Sequence, residues 1–193
     1  TLGAQHADRV AGLAPSAGAP VPIFDRPGGS VIDIQECIIP SLRNVRMAIF
    51  QSTAAPRVPP GPNQKAVQLL AEAKERWGGF AFEYWEVANR GHGMPPGGAQ
   101  ALFAKVAEAK RNPVPERITW QPRLFWKRQF YWLHWEQPVP MAVITADLDR
   151  EKNSITITCV DGTENKLGDP IDPKGLQVLL DERVLDLESE IVV

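Results

Sequence analysis

The sequence predicts an α/β fold over residues 1–112 and a small, sandwich-like antiparallel β appendage over residues 113–193. Apolar runs alternate with amphipathic helical patterns as far as residue 112, and no helical pattern follows. The 18 prolines and 15 glycines divide the chain into short segments with tight connections. Strands that are separated by helices pair in parallel through right-handed crossovers. We therefore expect part of a parallel sheet with flanking helices, followed by strands that pair with their neighbours in sequence.

Three apolar runs predict the strands of the parallel sheet. They cover residues Asp8–Gly18, Val45–Gln51 and Phe80–Val87. Short apolar runs bounded by turn residues are typical of strands that are covered on both faces. The segment Ala19–Ile39 is rich in proline and glycine, so we expect it to be an irregular excursion on the surface.

Helical patterns precede and separate these strands. Residues Thr1–His6 are typical of the end of a helix. Asn63 is predicted to cap a helix over Gln64–Trp77, and Gly78 and Gly79 are predicted to end it. One side of this helix is expected to carry Val67, Leu70, Ala71 and Lys74.

The sequence pattern changes after the next helix, which is predicted over Gly98–Arg111 and stopped by Asn112–Pro113. We place a domain boundary at Asn112–Pro115. The apolar stripe of this helix consists of Leu102, Phe103, Val106 and Ala109. Short β-like runs follow the boundary: Arg117–Trp120, Gln129–Glu136, Met141–Leu148, Ser154–Val160 and Gly175–Leu180.

Composition narrows the classes of function. The formal net charge is −2 and the longest basic cluster is Lys127–Arg128, so we expect no nucleic-acid partner. No apolar run approaches the roughly 18–20 residues of a membrane span. Cys37 and Cys159 could pair or stay free, and the sequence offers no spacing typical of a metal site. We expect no cofactor and no metal.

The loop Ala88–Pro96 is the stretch most suggestive of chemistry. It carries His92 between Gly91 and Gly93, after a predicted strand and before a predicted helix. The loops that follow parallel strands meet at one edge of the sheet, where open α/β folds place their sites. Imidazole is the side chain best suited to exchange protons near neutral pH. Structural and solvated histidines far outnumber catalytic ones, so the neighbouring residues must decide.

Five segments of the chain are specific as a set rather than singly. They are Ala7–Pro15, Pro56–Pro60, Gly91–Met94, Arg111–Trp120 and Leu179–Leu187. Together they resemble the C-terminal half of secreted α/β-hydrolases of the dienelactone-hydrolase and prolyl-oligopeptidase-like branch, and the resemblance covers most of the chain. This group contains predicted esterases and peptidases.

The resemblance implies a serine hydrolase in which His92 is the general base and acid of a catalytic triad. In this fold the triad follows the chain order nucleophile, acid, histidine. No serine of the chain lies in a GxSxG sequence, and the resemblance puts that motif just upstream of Thr1. The first residue is also not Met, so we expect a processed product or part of a longer chain. The family's acid aligns with Ala55, which has no carboxylate.

Four carboxylates are candidates for a replacement acid. Three follow the first strand of the chain, and one lies close to His92 in sequence. Each is also compatible with an ordinary solvated carboxylate, and the face of the last one is open. They are Asp25, Asp33, Glu36 and Glu86.

Two other functions are compatible with the sequence. A catalytically degenerate relative would keep the fold for binding or assembly, as Ala55 and the missing GxSxG suggest. Alternatively, the aromatic stretch Leu124–Glu136 would bind carbohydrate through Trp126, Trp132, Trp135 and Arg128. We favour packing for these aromatics, because strand alternation directs one face of them against the α/β part. His134, in the same run, is expected to be structural.

The resemblance also implies partners and a location. The chain is expected to act with the missing N-terminal half of the hydrolase domain on a small-molecule or peptide ester or amide. By itself we expect it to be inert, with an exposed sheet edge that favours a homodimer or aggregation. A secreted or periplasmic location is expected from the family.

Overall fold

The computed structural model describes residues 2–18, 39–55, 58–162 and 167–193. The chain begins with one helical turn, α1 (Leu2–Gln5), and a 3-10 turn at Ala7–Arg9. Helices and strands are mixed, with one parallel sheet followed by antiparallel sheets. The predicted α/β class and the change of pairing along the chain are therefore confirmed.

Within the described residues, the parallel sheet has three strands in the order β1 (Gly12–Leu13), β2 (Arg46–Ser52) and β3 (Phe82–Val87). All three predicted strands are present, although the first is reduced to two residues and an isolated bridge between Ser16 and Phe50. The central strand β2 is buried except at its first residue. Its two faces are both covered, as expected for a strand of a parallel sheet with helices on each side.

The longest helix, α2 (Gly61–Trp77), differs from the prediction at its beginning and in its phase. It starts at Gly61 because Pro62 suits the first turn, so Asn63 lies inside the helix and is not its cap. The predicted end is confirmed: Gly78 adopts φ +67° and its N–H donates to the carbonyl of Lys74 at 2.9 Å. Of the predicted stripe only Leu70 is buried, and the apolar residues buried in this helix are Ala66, Leu69, Leu70 and Ala73.

The next helix, α3 (Gly98–Ala104), is shorter than predicted. Turns rather than helix continue to residue 108. Leu102 and Val106 pack against Phe50 and Trp85 on the face of the sheet opposite α2. Phe103 of the predicted stripe is 57% exposed, since it lies on the outer side of this short helix.

Two antiparallel sheets follow. The first has the order β4 (Arg117–Trp120), β7 (Val143–Asp149), β8 (Ser154–Val160), and the second has the order β5 (Gln129–Phe130), β6 (Leu133–Trp135), β9 (Leu176–Val178). The prediction of a single strand over 129–136 is wrong. Tyr131 adopts the left-handed conformation, φ +53°, and turns the run into a hairpin. Consecutive side chains around the turn, from Phe130 to Leu133, are consequently buried. A single strand with one buried face would bury only every second side chain.

The antiparallel sheets share a core with the parallel sheet. Trp120 stacks on Phe130 with ring centroids 5.5 Å apart and meets Trp135 edge-on at 6.3 Å. One continuous apolar cluster includes these rings and side chains of β2 and α2. Asn44 Nδ2 also donates to the carbonyl of Arg117 at 2.9 Å, across the predicted boundary. The boundary at residues 112–115 stays a prediction about domain organisation.

A buried ion pair joins the beginning of the chain to the β appendage. Lys127 Nζ lies 2.8 Å from each carboxylate oxygen of Asp8. Both residues are 8% exposed. Beside this pair, the Tyr131 hydroxyl donates to the carbonyl of Ala7 at 2.9 Å. Charges at this depth are tolerated only when they are paired, so each partner depends on the other.

No helix in the described part of the chain is long and apolar enough to cross a membrane. Of the two cysteines, Cys159 is free and buried in β8, whereas Cys37 lies outside the described residues. Burial raises the pKa of the Cys159 thiol to about 11.

We predict that Lys127→Met destabilises the chain by about 3–5 kcal/mol, because the mutation leaves the buried Asp8 carboxylate with only the exposed Arg9 guanidinium, 3.9 Å away, as a charged partner. Urea unfolding measures this loss. The double variant Asp8→Asn with Lys127→Met should recover most of it. The matched control is Lys152→Met, which removes an exposed pair with Asp149 and should leave the unfolding midpoint unchanged. Equal effects of the two lysine substitutions would contradict a special role for the buried pair.

We also predict that Cys159 in a Cys37→Ser background is alkylated slowly by iodoacetamide at pH 8. The thiolate is the reactive form, and the folded thiol keeps its proton until the pH approaches its raised pKa of about 11. The rate should therefore rise between pH 9 and about pH 11, whereas the urea-unfolded chain reacts near the ordinary thiol pKa of about 8.5. Equal rates for folded and unfolded chains at pH 8 would contradict this burial.

Candidate functional site

The carboxyl ends of β2 and β3 lie side by side. Ser52, the last residue of β2, is paired with Val87, the last residue of β3. The two loops that follow therefore leave from the same edge of the sheet. The N–H of Thr53 donates to the carbonyl of Val87 at 3.0 Å, which continues the pairing by one residue. This edge brings together two predicted loops: the acid loop, Ser52–Pro60, which carries Ala55, and the histidine loop, Ala88–Pro96.

Two hydroxyl groups hold the histidine loop against the acid loop. Ser52 is fully buried, and its Oγ accepts hydrogen bonds from the N–H groups of Arg90 at 3.0 Å and Ala54 at 3.3 Å. Thr53 Oγ1 accepts from the N–H of Asn89 at 3.1 Å. Hydroxyl side chains commonly satisfy backbone groups in turns in this way. We call these two residues, Ser52 and Thr53, the hydroxyl clamp.

His92 lies at the outer part of its loop. The loop is closed below it by a hydrogen bond from Arg90 Nε to the carbonyl of Met94 at 2.8 Å, and Gly91 adopts φ +69°. His92 itself is exposed. Within the residues that the structure describes, neither ring nitrogen has a hydrogen bond or an ion pair. The loop that carries His92 is therefore anchored, and the exposed imidazole is open to a partner that approaches from outside.

Ala55, the position aligned with the family's acid, is only 3% exposed. It lies at the end of the turn that begins at Ser52. A carboxylate at such a position would need a cationic or hydrogen-bonding partner, because an unpaired buried charge is costly. Ala54, next to it, is exposed and also lacks a carboxylate. Position 55, the predicted acid position, is thus a buried apolar site.

Glu86 is held by residues other than His92. Its carboxylate accepts hydrogen bonds from the Tyr84 hydroxyl and from Gln64 Nε2 of α2, the latter at 2.9 Å. Glu86 and Tyr84 therefore lie on the α2 face of β3, whereas Trp85 packs on the opposite face. Burial, followed by the hydrogen bond to Glu86, raises the pKa of Tyr84. The other three candidates, Asp25, Asp33 and Glu36, lie outside the described residues.

A second polar cluster fixes the acid loop from the α2 side. The amide of Gln51 donates to the carbonyls of Ser52 at 2.8 Å and Val58 at 2.9 Å. Its oxygen accepts from Asn63 Nδ2 at 2.6 Å. Gln51 and Asn63 are almost completely buried. Asn63 therefore links the first turn of α2 to the end of β2. Its side chain makes this tertiary contact and does not cap the helix.

The aromatic residues of the appendage separate into buried and exposed groups. Trp132 Nε1 donates to the carbonyl of Pro115 at 3.0 Å, and Trp135 Nε1 donates to that of Lys174 at 2.8 Å. Both rings are at most 3% exposed, so they cannot stack on a sugar. Trp126 is 55% exposed, and Arg128 pairs with Glu136 at 3.7 Å. The packing interpretation is confirmed for Trp132 and Trp135.

His134 is partly buried in β6. Its Nδ1 is buried without a hydrogen-bond partner in the described structure. The described residues also contain no group of three or more histidine, cysteine or carboxylate side chains that could hold a metal ion.

Comparisons with family models, with curated proteins and with solved structures gave no match. The functional assignment therefore depends on the chain's own residues and on the geometry of this sheet edge. The hydroxyl clamp was missed by the sequence analysis. Its signal was present in the consecutive hydroxyl residues Ser52 and Thr53 at the predicted strand end, where backbone groups need partners.

We predict that Ser52→Ala loosens the histidine loop, because the N–H groups of Arg90 and Ala54 lose their buried acceptor. The expected cost is about 1–3 kcal/mol. Hydrogen exchange followed by NMR should show faster exchange at those two amides. Thr53→Val is the matched variant and should affect the amide of Asn89 instead. Uniform acceleration across β2 and β3 in both variants would contradict two separate local contacts.

Proposed function

We propose that this chain is the histidine-bearing, C-terminal part of a serine hydrolase with the α/β-hydrolase fold, which cleaves ester or amide bonds by acyl transfer. The observation that carries the proposal is the position of His92 on the loop after β3, hydrogen-bonded at its base to the loop after β2. In that fold the acid and the histidine occur in this chain order on loops after strands. The positions of Ala55 and His92 match the order.

The proposed role of His92 is proton transfer. Its imidazole takes the proton from a serine hydroxyl as that oxygen attacks the substrate carbonyl, and then returns the proton to the leaving group. An exposed imidazole on an anchored loop suits this role, because it must meet both a serine and a substrate. No serine of this chain lies in GxSxG. The proposal therefore requires the N-terminal half of the hydrolase domain as the partner that supplies the nucleophile.

Because Ala55 occupies the predicted acid position, we expect a low catalytic rate. The acid of a triad orients the imidazole and stabilises its protonated form, and in a serine protease the Asp→Asn change lowers kcat by about 10⁴. Glu86 could replace the acid only by leaving Tyr84 and Gln64. Asp25, Asp33 and Glu36 remain proposed alternatives. Without one of them, we expect a slow hydrolase.

The remaining parts of the proposal concern partners and location. The substrate class is a small-molecule or peptide ester or amide, and nucleic acid is not expected. On its outer side β1 has no paired strand among the described residues, so a homodimer across this edge is a candidate assembly of the chain by itself. Secretion or export to the periplasm follows from the family resemblance alone.

A second candidate function is binding or assembly by a catalytically degenerate relative. The observations that favour it are Ala55 at the acid position and the lack of any described partner for His92. In this alternative the fold is retained and the triad is not. The carbohydrate-binding alternative is weaker, because Trp132 and Trp135 are enclosed in the core.

Labelling with a fluorophosphonate probe tests the hydrolase directly, in the full-length protein that includes the upstream region. We expect slow labelling of a serine in the parent and faster labelling in Ala55→Asp, with a gain of up to about 10⁴. His92→Ala should abolish labelling in both forms. His6→Ala is the matched control, because His6 contacts Trp126 and lies before β1, and it should label like the parent.

The labelling result also separates the two candidate functions. Labelling that depends on His92 supports the hydrolase. No labelling in either the parent or Ala55→Asp would overturn it and favour the degenerate relative. Labelling that persists in His92→Ala would show that another residue is the base.

A further inference from the structure

A cleft of about 370 Å³ lies where the 3-10 turn at Ala7–Arg9 meets the β appendage. Its volume falls within the range of small-ligand sites, which is about 300–1,000 Å³. The turn precedes β1, so the cleft lies toward the amino-terminal edge of the parallel sheet, whereas His92 follows β3 at the carboxyl edge. The residues that line the cleft are Asp8, Arg9, Arg111, Pro113, Gln129 and Tyr131.

The charges around this cleft do not balance. Asp8 is the acidic residue of the lining, and both of its carboxylate oxygens are engaged by the buried ammonium of Lys127 at 2.8 Å. Two guanidinium groups, those of Arg9 and Arg111, therefore remain in excess. The Arg9 side chain is 74% exposed and lies 3.9 Å from Asp8, too far for a hydrogen bond. The cleft is thus a region of positive potential.

The donor groups of the cleft are only partly used. Arg111 Nη1 donates to the backbone carbonyl of Asp8 at 3.0 Å, which fixes the guanidinium, and its other N–H groups have no partner in the described part of the chain. Tyr131 is fixed by the bond from its hydroxyl to the carbonyl of Ala7. A guanidinium that is held at one nitrogen presents its remaining donors in a fixed fork.

Tyr131 adds an independent observation. Its φ of +53° is uncommon for a bulky residue, and such strain is concentrated at functional sites and ligand clamps. The conformation places the buried phenol against the 3-10 turn rather than along a continuous strand. The wall of the cleft is therefore built at a cost in backbone strain.

We propose that this cleft binds a dianionic oxyanion, a phosphate monoester or an inorganic phosphate or sulfate ion, between Arg9 and Arg111. Two guanidinium charges match two negative charges, and the planar fork of arginine matches the oxygen geometry of these groups. The ion pair between Asp8 and Lys127 keeps the one carboxylate of the lining from repelling the anion. This site is separate from the proposed hydrolase site, so the failure of either proposal leaves the other standing.

Isothermal titration of the full chain with inorganic phosphate and with inorganic sulfate, at low ionic strength, tests the proposal. We expect saturable binding of both anions. Arg9→Gln and Arg111→Gln should each weaken it roughly tenfold or more, as for the loss of one charged hydrogen bond, and the double variant should abolish it. Arg111→Lys should be intermediate, because it keeps the charge and loses the fork. Arg183→Gln is the matched control, since Arg183 pairs with Asp181 outside the cleft.

The outcomes distinguish dianions from monoanions, and they distinguish a lost binding site from a variant that fails to fold. Arg9 is exposed, so Arg9→Gln tests the site even if the Arg111 variants fail to fold. Phosphate affinity should rise as the pH passes its second ionisation, while sulfate affinity should not. Binding of acetate as tight as that of phosphate would overturn the dianion assignment. The absence of saturable binding, or equal weakening by Arg183→Gln, would overturn the site.

Discussion

The parallel pairing of β2 with β3 is the constraint on which the proposed active site depends. Ser52 lies opposite Val87, so the acid loop and the histidine loop begin at the same level of the sheet. A slip of one residue would turn every side chain of a strand to the other face. Ser52 would then leave the face that it shares with Phe50, and the hydroxyl clamp could not form. The register therefore decides both the packing of the sheet and the anchoring of His92.

The attachment of the β appendage depends on a second, smaller set of contacts. Lys127 reaches Asp8, and Tyr131 reaches the carbonyl of Ala7, so the turn before β1 is held by the appendage. The same contacts form the wall of the cleft that Arg9 and Arg111 border. The proposed hydrolase site thus lies at the carboxyl edge of the sheet, and the proposed anion site lies toward its amino edge. Both depend on loops that are anchored by buried polar groups.

Sequence patterns predicted the parts of this fold that depend on local signals. The apolar runs of β2, β3 and β8 and the glycine at the end of α2 all have local causes, and they were found. The start of α2 was misplaced because Asn63 resembles a cap, while its amide is used by Gln51 in a tertiary contact. The hairpin at Tyr131 was missed because a left-handed tyrosine has no signal in the sequence. The hydroxyl clamp likewise depends on partners 36 and 38 residues away in sequence.

The most direct test of the central claim is a low-field proton NMR spectrum of the Ala55→Asp variant. If position 55 is the acid position for His92, the new carboxylate accepts a hydrogen bond from the imidazole. A protected imidazole N–H resonance should then appear at low field, and it should be absent from the parent chain and from Ala55→Asp combined with His92→Gln. A folded Ala55→Asp chain without this resonance would contradict the pairing of these two loops as the acid and histidine of one triad.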